Sequence, residues 1–290
     1  MNYSLRNPEQ IYKKIYPNLE IPEDSLESIR SREIKGYRIK SIISGPYVES
    51  EVYPIWKKRS GVPRAPKKNA SRTAQENLNE KNAIKRIVRL SNANFTERDI
   101  WATFTYDEEH LPQSMEEAQK NIQNYIRRLK RAREKAGLPE LKYIYVTEYN
   151  ESTVPGRGIR YHHHLILSGG FSRDDIENLW TCGGRKQTRR LQPDDQGITG
   201  LAVYISKAPQ NGRRRWASSK NLIQPEIRTA DTKAKKTQVF KAAADFELLR
   251  EFFERLYPTC KITDIAPPAF NDLNGGVYLY ARMWQKVRQS

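Results

Sequence analysis

Apolar and polar positions change their rhythm along the chain, and each change marks an element. YRIKSII and VESEVYPIW, separated by SGPY, read as two β-rich segments joined by a tight turn, which predicts a hairpin. From Ser71 to Leu90, the apolar residues Leu78, Ile84, Ile87, Val88 and Leu90 recur at roughly helical spacing, with Ser71 or Thr73 available as a cap. DIWATFTYDE is aromatic and β-branched and predicts a strand. PQSMEEAQKNIQNYIRRLKRAREKAG then predicts a helix, capped by Ser114 with Glu117 three residues on and stopped by a glycine.

LKYIYVTEYN and YHHHLILSGG predict two more strands around the loop ESTVPGRGIR. SRDDIENLW is a short capped helix. GITGLAVYISKAP carries Ile198, Leu201, Ala202 and Ile205 on one side of another helix, which Pro209 ends. An arginine-rich loop at residues 211–220, a polar tract with TKAKKTQ, a helix near Ala242 to Leu256 and β-like segments around Ile262 and from Val277 to Tyr280 complete the chain. No internal repeat is present. The order of elements is that of an α+β fold.

The stretch KKRSGVPRAPKKN, residues 57–69, has no apolar face and reads as an exposed basic linker. It separates an N-terminal extension, residues 1–70, from residues 71–290, which hold the candidate chemistry and the C-terminal helix and strands. At 290 residues the chain suits one main domain with additions.

Charge narrows the class of partner. With 51 Lys and Arg against 34 Asp and Glu, the formal net charge of +17 exceeds what solubility asks for and points to a polyanion. The start MNYSLRNPEQ lacks a basic-then-apolar signal pattern, and no run of about 18 apolar residues occurs, so a cytoplasmic protein with no membrane association is expected, in a bacterial host cell if the resemblance described below holds. The two cysteines, Cys182 and Cys260, lack CxxC spacing and argue against a disulfide framework or a thiolate zinc site.

Three of the four histidines are consecutive, His162, His163 and His164. On a strand, His162 and His164 share one face with Ile166, while His163 shares the other with Leu165 and Leu167. Two imidazoles about 7 Å apart along one face can share a metal ion. On the preceding strand Ile144, Val146 and Glu148 share a face. Antiparallel pairing through the loop therefore sets Glu148 beside the histidines and the apolar residues beside each other. That set suits Mn²⁺ or Mg²⁺, and zinc fits the same ligands. Glu151, in the loop, is the substitute carboxylate to test. The opposite parity, Tyr143, Tyr145, Thr147, His163, Leu165 and Leu167, is also largely apolar, which predicts a central antiparallel sheet covered by helices on both faces, with His163 packing.

In VYISK, Tyr204 and Lys207 stand i and i+3 on the predicted helix, where a nearby ammonium favours the phenolate of a nucleophilic tyrosine. Basic residues flank this segment: Arg185, Lys186, Arg189 and Arg190 before it, and Arg213, Arg214, Arg215 and Lys220 after it, with Trp216 among them. Cations for phosphates and an indole for base stacking suit single-stranded DNA. The run RRLKRAR, residues 127–133, reads as solvent-facing instead.

WATFTY at Trp101 to Tyr106, HHHLIL, and YISK follow one another in an order that resembles the HUH endonuclease superfamily, in its replication-initiator (Rep) class, over roughly residues 96–220. The layout is similar to rolling-circle replication proteins of bacterial phages and integrative elements. The resemblance implies a ferredoxin- or RRM-like palm, His162, His164 and Glu148 as ligands of Mn²⁺ or Mg²⁺, Tyr204 as nucleophile and Lys207 as its helper. The implied activity is site-specific nicking and rejoining of single-stranded DNA, at an origin or hairpin, through a 5′-phosphotyrosine link. No GxxxxGK[ST] loop occurs, so a helicase and a polymerase would come from the host or element. Relaxases and single-tyrosine transposases share this chemistry, and a non-catalytic basic nucleic-acid-binding protein is the reading from another class.

Overall fold

The computed structural model describes residues 34–56, 72–150, 160–206, 216–271 and 276–286. Two antiparallel sheets with their helices make an α+β protein, and the chain divides into two compact units. One draws on Met1–Lys81 and Pro225–Ser290, the other on Asn82–Gln224. Within the first, β1 (Ile34–Ser44) and β2 (Tyr47–Trp56) form the expected hairpin. Gly45 takes φ 63° in the two-residue turn, the left-handed value that the first position of a type II′ turn requires.

The sequence division at residue 70 differs from this partition. The hairpin shares its sheet with strands from the C-terminal part: β8 (Glu226–Ala234) on β1, and β11 (Gly276–Gln285) on β2. β9 (Cys260–Ile265) and β10 (Ala269–Asn271) pair with β11. Local alternation identifies a strand but carries no label for its partner, so pairing across nearly the whole chain is not written in the pattern. Tyr37, Ile39, Val48, Val52, Leu279 and Met283 form one face of this sheet, buried with Val239 and Ala242 of Lys236–Ala244 and Leu249, Phe252 and Phe253 of Phe246–Leu256. The single helix expected near 242–256 is thus two, broken at Asp245, whose side chain accepts from the Leu248 amide and caps the second.

The second unit has the strand order β6-β3-β5-β4-β7: Lys186–Arg190, Ile100–Thr105, Arg160–Leu167, Tyr143–Asn150 and Ala217–Ser218. Helix α1 (Arg72–Asn94) reaches this unit with its residues from Asn82 on. Helix α2 (Met115–Lys135) starts where expected, because Ser114 accepts from the Glu117 amide, while the Glu117 carboxylate accepts from the Gln113 amide rather than completing the reciprocal box. Its buried stripe, Ala118, Ile122, Tyr125, Ile126 and Leu129, lies with Ile100, Ala102, Phe104, Leu165 and Leu167 in one core. Helix α3 (Arg173–Asn178), boxed by Ser172 and Asp175, adds Ile176 and leads to Trp180. Helix α4 (Thr199–Ile205) lies on the opposite face, where the Tyr204 ring meets Trp101 and His164. Helices therefore cover both faces of this sheet.

One detail of the basic helix run differs from expectation. Arg133 is buried and donates to the carbonyls of Pro139 at 3.0 Å and Gly169 at 2.7 Å, holding the loops beyond α2 and β5. Arg128 donates to the Leu179 carbonyl at 3.0 Å. Long side chains can spend their donors on buried carbonyls, which a count of charges does not reveal. Among the described residues, no helix is long and apolar enough to cross a membrane.

Candidate active site

Strands β4 and β5 pair in the register the parity argument predicts: Glu148 faces His162, Val146 faces His164 and Ile144 faces Ile166. Glu148, His162 and His164 therefore project from one face above the buried side chains of Val146, Ile144 and Ile166. Glu148 Oε2 is 3.2 Å from His162 Nε2 and 3.8 Å from His164 Nε2. One ligand atom from each of the three lies within 4.8 Å of the others. Donor atoms about 3 Å apart are what metal–ligand distances of about 2.0–2.2 Å at near right angles demand, so the nitrogen, nitrogen and oxygen set fits a divalent cation. Glu148 and His162 each expose 15% of the side chain, which leaves an approach from solvent, whereas His164 exposes only 7%.

His163 points the other way, as expected, and is fully buried. Its Nε2 lies 2.7 Å from the Tyr106 hydroxyl and its Nδ1 3.0 Å from Thr147 Oγ1. Burial, reinforced by the neighbouring His162 and His164, pushes its pKa down to about 3, so it packs as a neutral ring. Phe104, Tyr106, Tyr125 and Trp180 surround it. Trp180 stacks on Phe104 at 5.2 Å, and its indole N–H donates to the carbonyls of Thr105 and Gly183. Gly183 and Gly184, at φ 60° and 68°, make the tight bend that allows this, and a Cβ on Gly184 would lie 2.5 Å from the Thr105 carbonyl oxygen.

The nucleophile candidate meets the cluster. The Tyr204 hydroxyl lies 3.5 Å from His164 Nε2, and its ring is 5.3 Å from the imidazole. Asn92, buried near the end of α1, holds the helix that carries it: its carbonyl oxygen accepts from the Ile198 amide at 3.1 Å, and its amide donates to Thr199 Oγ1 at 3.0 Å. Ile198 supplies no side-chain cap, so a residue from another helix takes that role.

Three supporting residues escaped the sequence reading. Thr103 Oγ1 is 3.0 Å from His164 Nδ1, Trp101 stacks on the His164 ring at 5.2 Å and 10°, and Asn92 positions α4. For Trp101 and Thr103 a signal was available: they share a parity in WATFTY, and β3 pairs with β5 so that Thr103 faces His164 and Thr105 faces His162.

The expected helper, Lys207, lies outside the described residues, as do Arg213, Arg214, Arg215 and the substitute carboxylate Glu151; α4 itself ends at Ile205 with Ser206 as C-cap. The basic residues before the tyrosine form strand β6, and its pairing with β3 sorts them. Arg189 faces Trp101 and so shares the face of the site, whereas Lys186 and Arg190 face Phe104 and Ile100 on the core side. The Arg190 guanidinium donates to the Arg98 carbonyl. Arg185 and Lys220 are exposed, and the Arg86 guanidinium lies 5.8 Å from the ring of the half-buried Trp216.

None of the curated proteins and none of the solved structures compared with the chain gives a match. Residues 99–209, which span every ligand of the candidate metal site and Tyr204, match the family model of the replication-associated protein ORF2 and gene 2 protein, a match that supports a replication-associated protein.

Proposed function

We propose that this protein is a metal-dependent HUH endonuclease that nicks and rejoins single-stranded DNA to initiate rolling-circle replication, with Tyr204 as nucleophile. The observation that carries this reading is the approach of the Tyr204 hydroxyl to 3.5 Å from His164 Nε2, beside a carboxylate and a second imidazole, within a replication-associated segment. Glu148, His162 and His164 would hold Mn²⁺ or Mg²⁺. Bound there, the cation supplies a Lewis acid for a scissile phosphate oxygen.

The remaining chemistry belongs to the chain. The Tyr204 oxygen attacks phosphorus, a new phosphorus–oxygen bond forms to the phenol, and the bond to the 3′ oxygen breaks. The phenol proton ends on that oxygen, giving a free 3′ hydroxyl and a 5′-phosphotyrosine link. Because a phosphodiester replaces a phosphodiester, a later 3′ hydroxyl can reverse the step without a nucleotide cofactor. Trp101 and Asn92 limit the motion of the nucleophile from two sides, one against its ring and one at the start of its helix. Arg189, on the site's face, and the exposed Arg185 and Lys220 provide cations for the phosphate backbone, with Trp216 as a stacking surface. Arg213, Arg214 and Arg215 would add to that surface, and Lys207 would assist phenolate formation.

The test is incubation with Mn²⁺ and single-stranded oligonucleotides from the protein's own origin region, followed by a denaturing gel. A covalent adduct is expected. Its absence across all candidate origins would sink the nickase reading. An adduct undiminished in Tyr204→Phe would overturn the nucleophile assignment, and one that survives joint His162→Ala and His164→Ala replacement would overturn the metal site.

A further inference from the structure

We infer that Thr103 is a positioning residue for the metal site: it accepts a hydrogen bond from His164 Nδ1–H and so keeps the Nε2 lone pair directed at Glu148 and Tyr204. The inference rests on the reading of Glu148, His162 and His164 as metal ligands.

The geometry comes from strand register. Thr103 and His164 are cross-strand partners on β3 and β5, and Oγ1 lies 3.0 Å from Nδ1, an ordinary hydrogen-bond length. Trp101, two residues before Thr103 and on the same face, stacks on the imidazole with ring centroids 5.2 Å apart and planes within 10°. The ring is held in its plane by the indole and in its rotation by the threonine. A half-turn of the imidazole would exchange nitrogens for carbons at both ends and lose the Thr103 contact.

Tautomer chemistry makes this a requirement. A neutral imidazole carries one N–H and one lone pair. To bind a cation through Nε2, His164 must carry its proton on Nδ1, and with only 7% of the side chain exposed that proton needs an acceptor inside the protein. Thr103 Oγ1 is within hydrogen-bond distance. In the reverse tautomer the threonine would donate to Nδ1, and Nε2–H would point at Glu148 Oε2, 3.8 Å away, and at the Tyr204 hydroxyl, 3.5 Å away. That form presents a proton where a cation must sit. The hydroxyl thus acts through His164 on the site without touching metal or DNA.

Two substitutions separate the hydrogen bond from packing. Thr103→Val keeps a β-branched side chain of similar shape on the strand and removes the acceptor, and Thr103→Ser keeps the acceptor and removes a methyl. Mn²⁺ binding to the DNA-free protein, followed by the free-ion electron paramagnetic resonance signal, is expected to weaken about 10- to 100-fold in Thr103→Val, the range for lost outer-sphere partners, and to stay within about threefold in Thr103→Ser. Long-range proton–nitrogen correlation spectra of the wild-type protein provide a readout without any variant. His164 should carry its proton on Nδ1 with and without Mg²⁺. A Thr103→Val protein that binds Mn²⁺ as tightly as wild type, or a wild-type His164 protonated on Nε2 in the Mg²⁺ form, overturns the role of Thr103 and leaves the metal site standing. Wild-type protein with no saturable Mn²⁺ binding, or with binding unchanged by joint His162→Ala and His164→Ala replacement, overturns the metal site and this inference with it.

Discussion

Glu148 and His162 face each other across β4 and β5, and Oε2 of the carboxylate lies 3.2 Å from Nε2 of the imidazole. The pair is preassembled: both groups already occupy the positions from which they would turn their lone pairs to a cation. Glu148→Gln keeps the shape of the side chain and its place in the register but removes the charge. The expected outcome is a loss of Mn²⁺ affinity of about 100-fold, since an anionic first ligand contributes at least as much as an outer-sphere partner, with the thermal transition little changed. Titration calorimetry checks it, and unchanged affinity would remove Glu148 from the ligand set.

That pair was legible in the sequence because the β period is two. His162, His164 and Ile166 on one strand and Glu148, Val146 and Ile144 on the next match polar to polar and apolar to apolar in one antiparallel register, and a shift by one residue would bury the wrong set. Tyr204 was legible as a tyrosine on a short helix after that strand. The hydrogen bond from His164 to Thr103 was not, because it joins residues 61 apart through a strand pairing that no local pattern encodes. Strand β8 escaped for a different reason. Nearly all its side chains are exposed, so neither face carries an apolar signature, and it is a strand only through its backbone bonds to β1. The basic cluster at residues 185–190 was read by charge alone, and only pairing with β3 separates Arg189 from Lys186 and Arg190.

Asn92 offers a test of how the nucleophile helix is held. Its buried amide donates to the Val88 carbonyl at 3.1 Å and Thr199 Oγ1 at 3.0 Å and accepts from the Ile198 amide at 3.1 Å. Asn92→Ala leaves the Ile198 amide and the Thr199 hydroxyl without this partner in a buried place. Stability is expected to fall by about 2–3 kcal/mol, the cost of stranding buried polar groups, read as a lower denaturant midpoint at unchanged slope. A midpoint equal to wild type would mean that α4 is held by its apolar face alone.

The middle histidine should separate from its neighbours in experiment. His163→Leu is close in size and suits the apolar side of the sheet, but it strands the Tyr106 hydroxyl and Thr147 Oγ1, which lie 2.7 and 3.0 Å from the two ring nitrogens. A loss of about 1–3 kcal/mol in stability is expected from those two groups, with Mn²⁺ affinity kept within about threefold. Denaturation and calorimetry on the same preparation decide. A collapse of metal binding in a protein that still folds would make His163 part of the site.

Two buried phenols set the alkaline limit of the second unit. Burial raises the pKa of Tyr125 and of Tyr106 well above the ordinary phenol value, and both hydroxyls sit within hydrogen-bond distance of buried partners, the Ile176 carbonyl and His163 Nε2. In the unfolded chain the same groups lose their protons near a pH of about 10. Above that point the folded state binds more protons than the unfolded one, so stability falls as pH rises; below it these groups add no pH dependence. Phenolate absorbance should therefore grow in two stages on base titration: the exposed tyrosines first, then Tyr125 and Tyr106 together with loss of the helical signal. Tyr125→Phe removes one hydroxyl while keeping the ring against Phe104, and should move the second stage to higher pH. If the buried phenols titrate while the helices remain intact, the core beneath the histidine strand opens to solvent without unfolding, and burial cannot be what holds their protons.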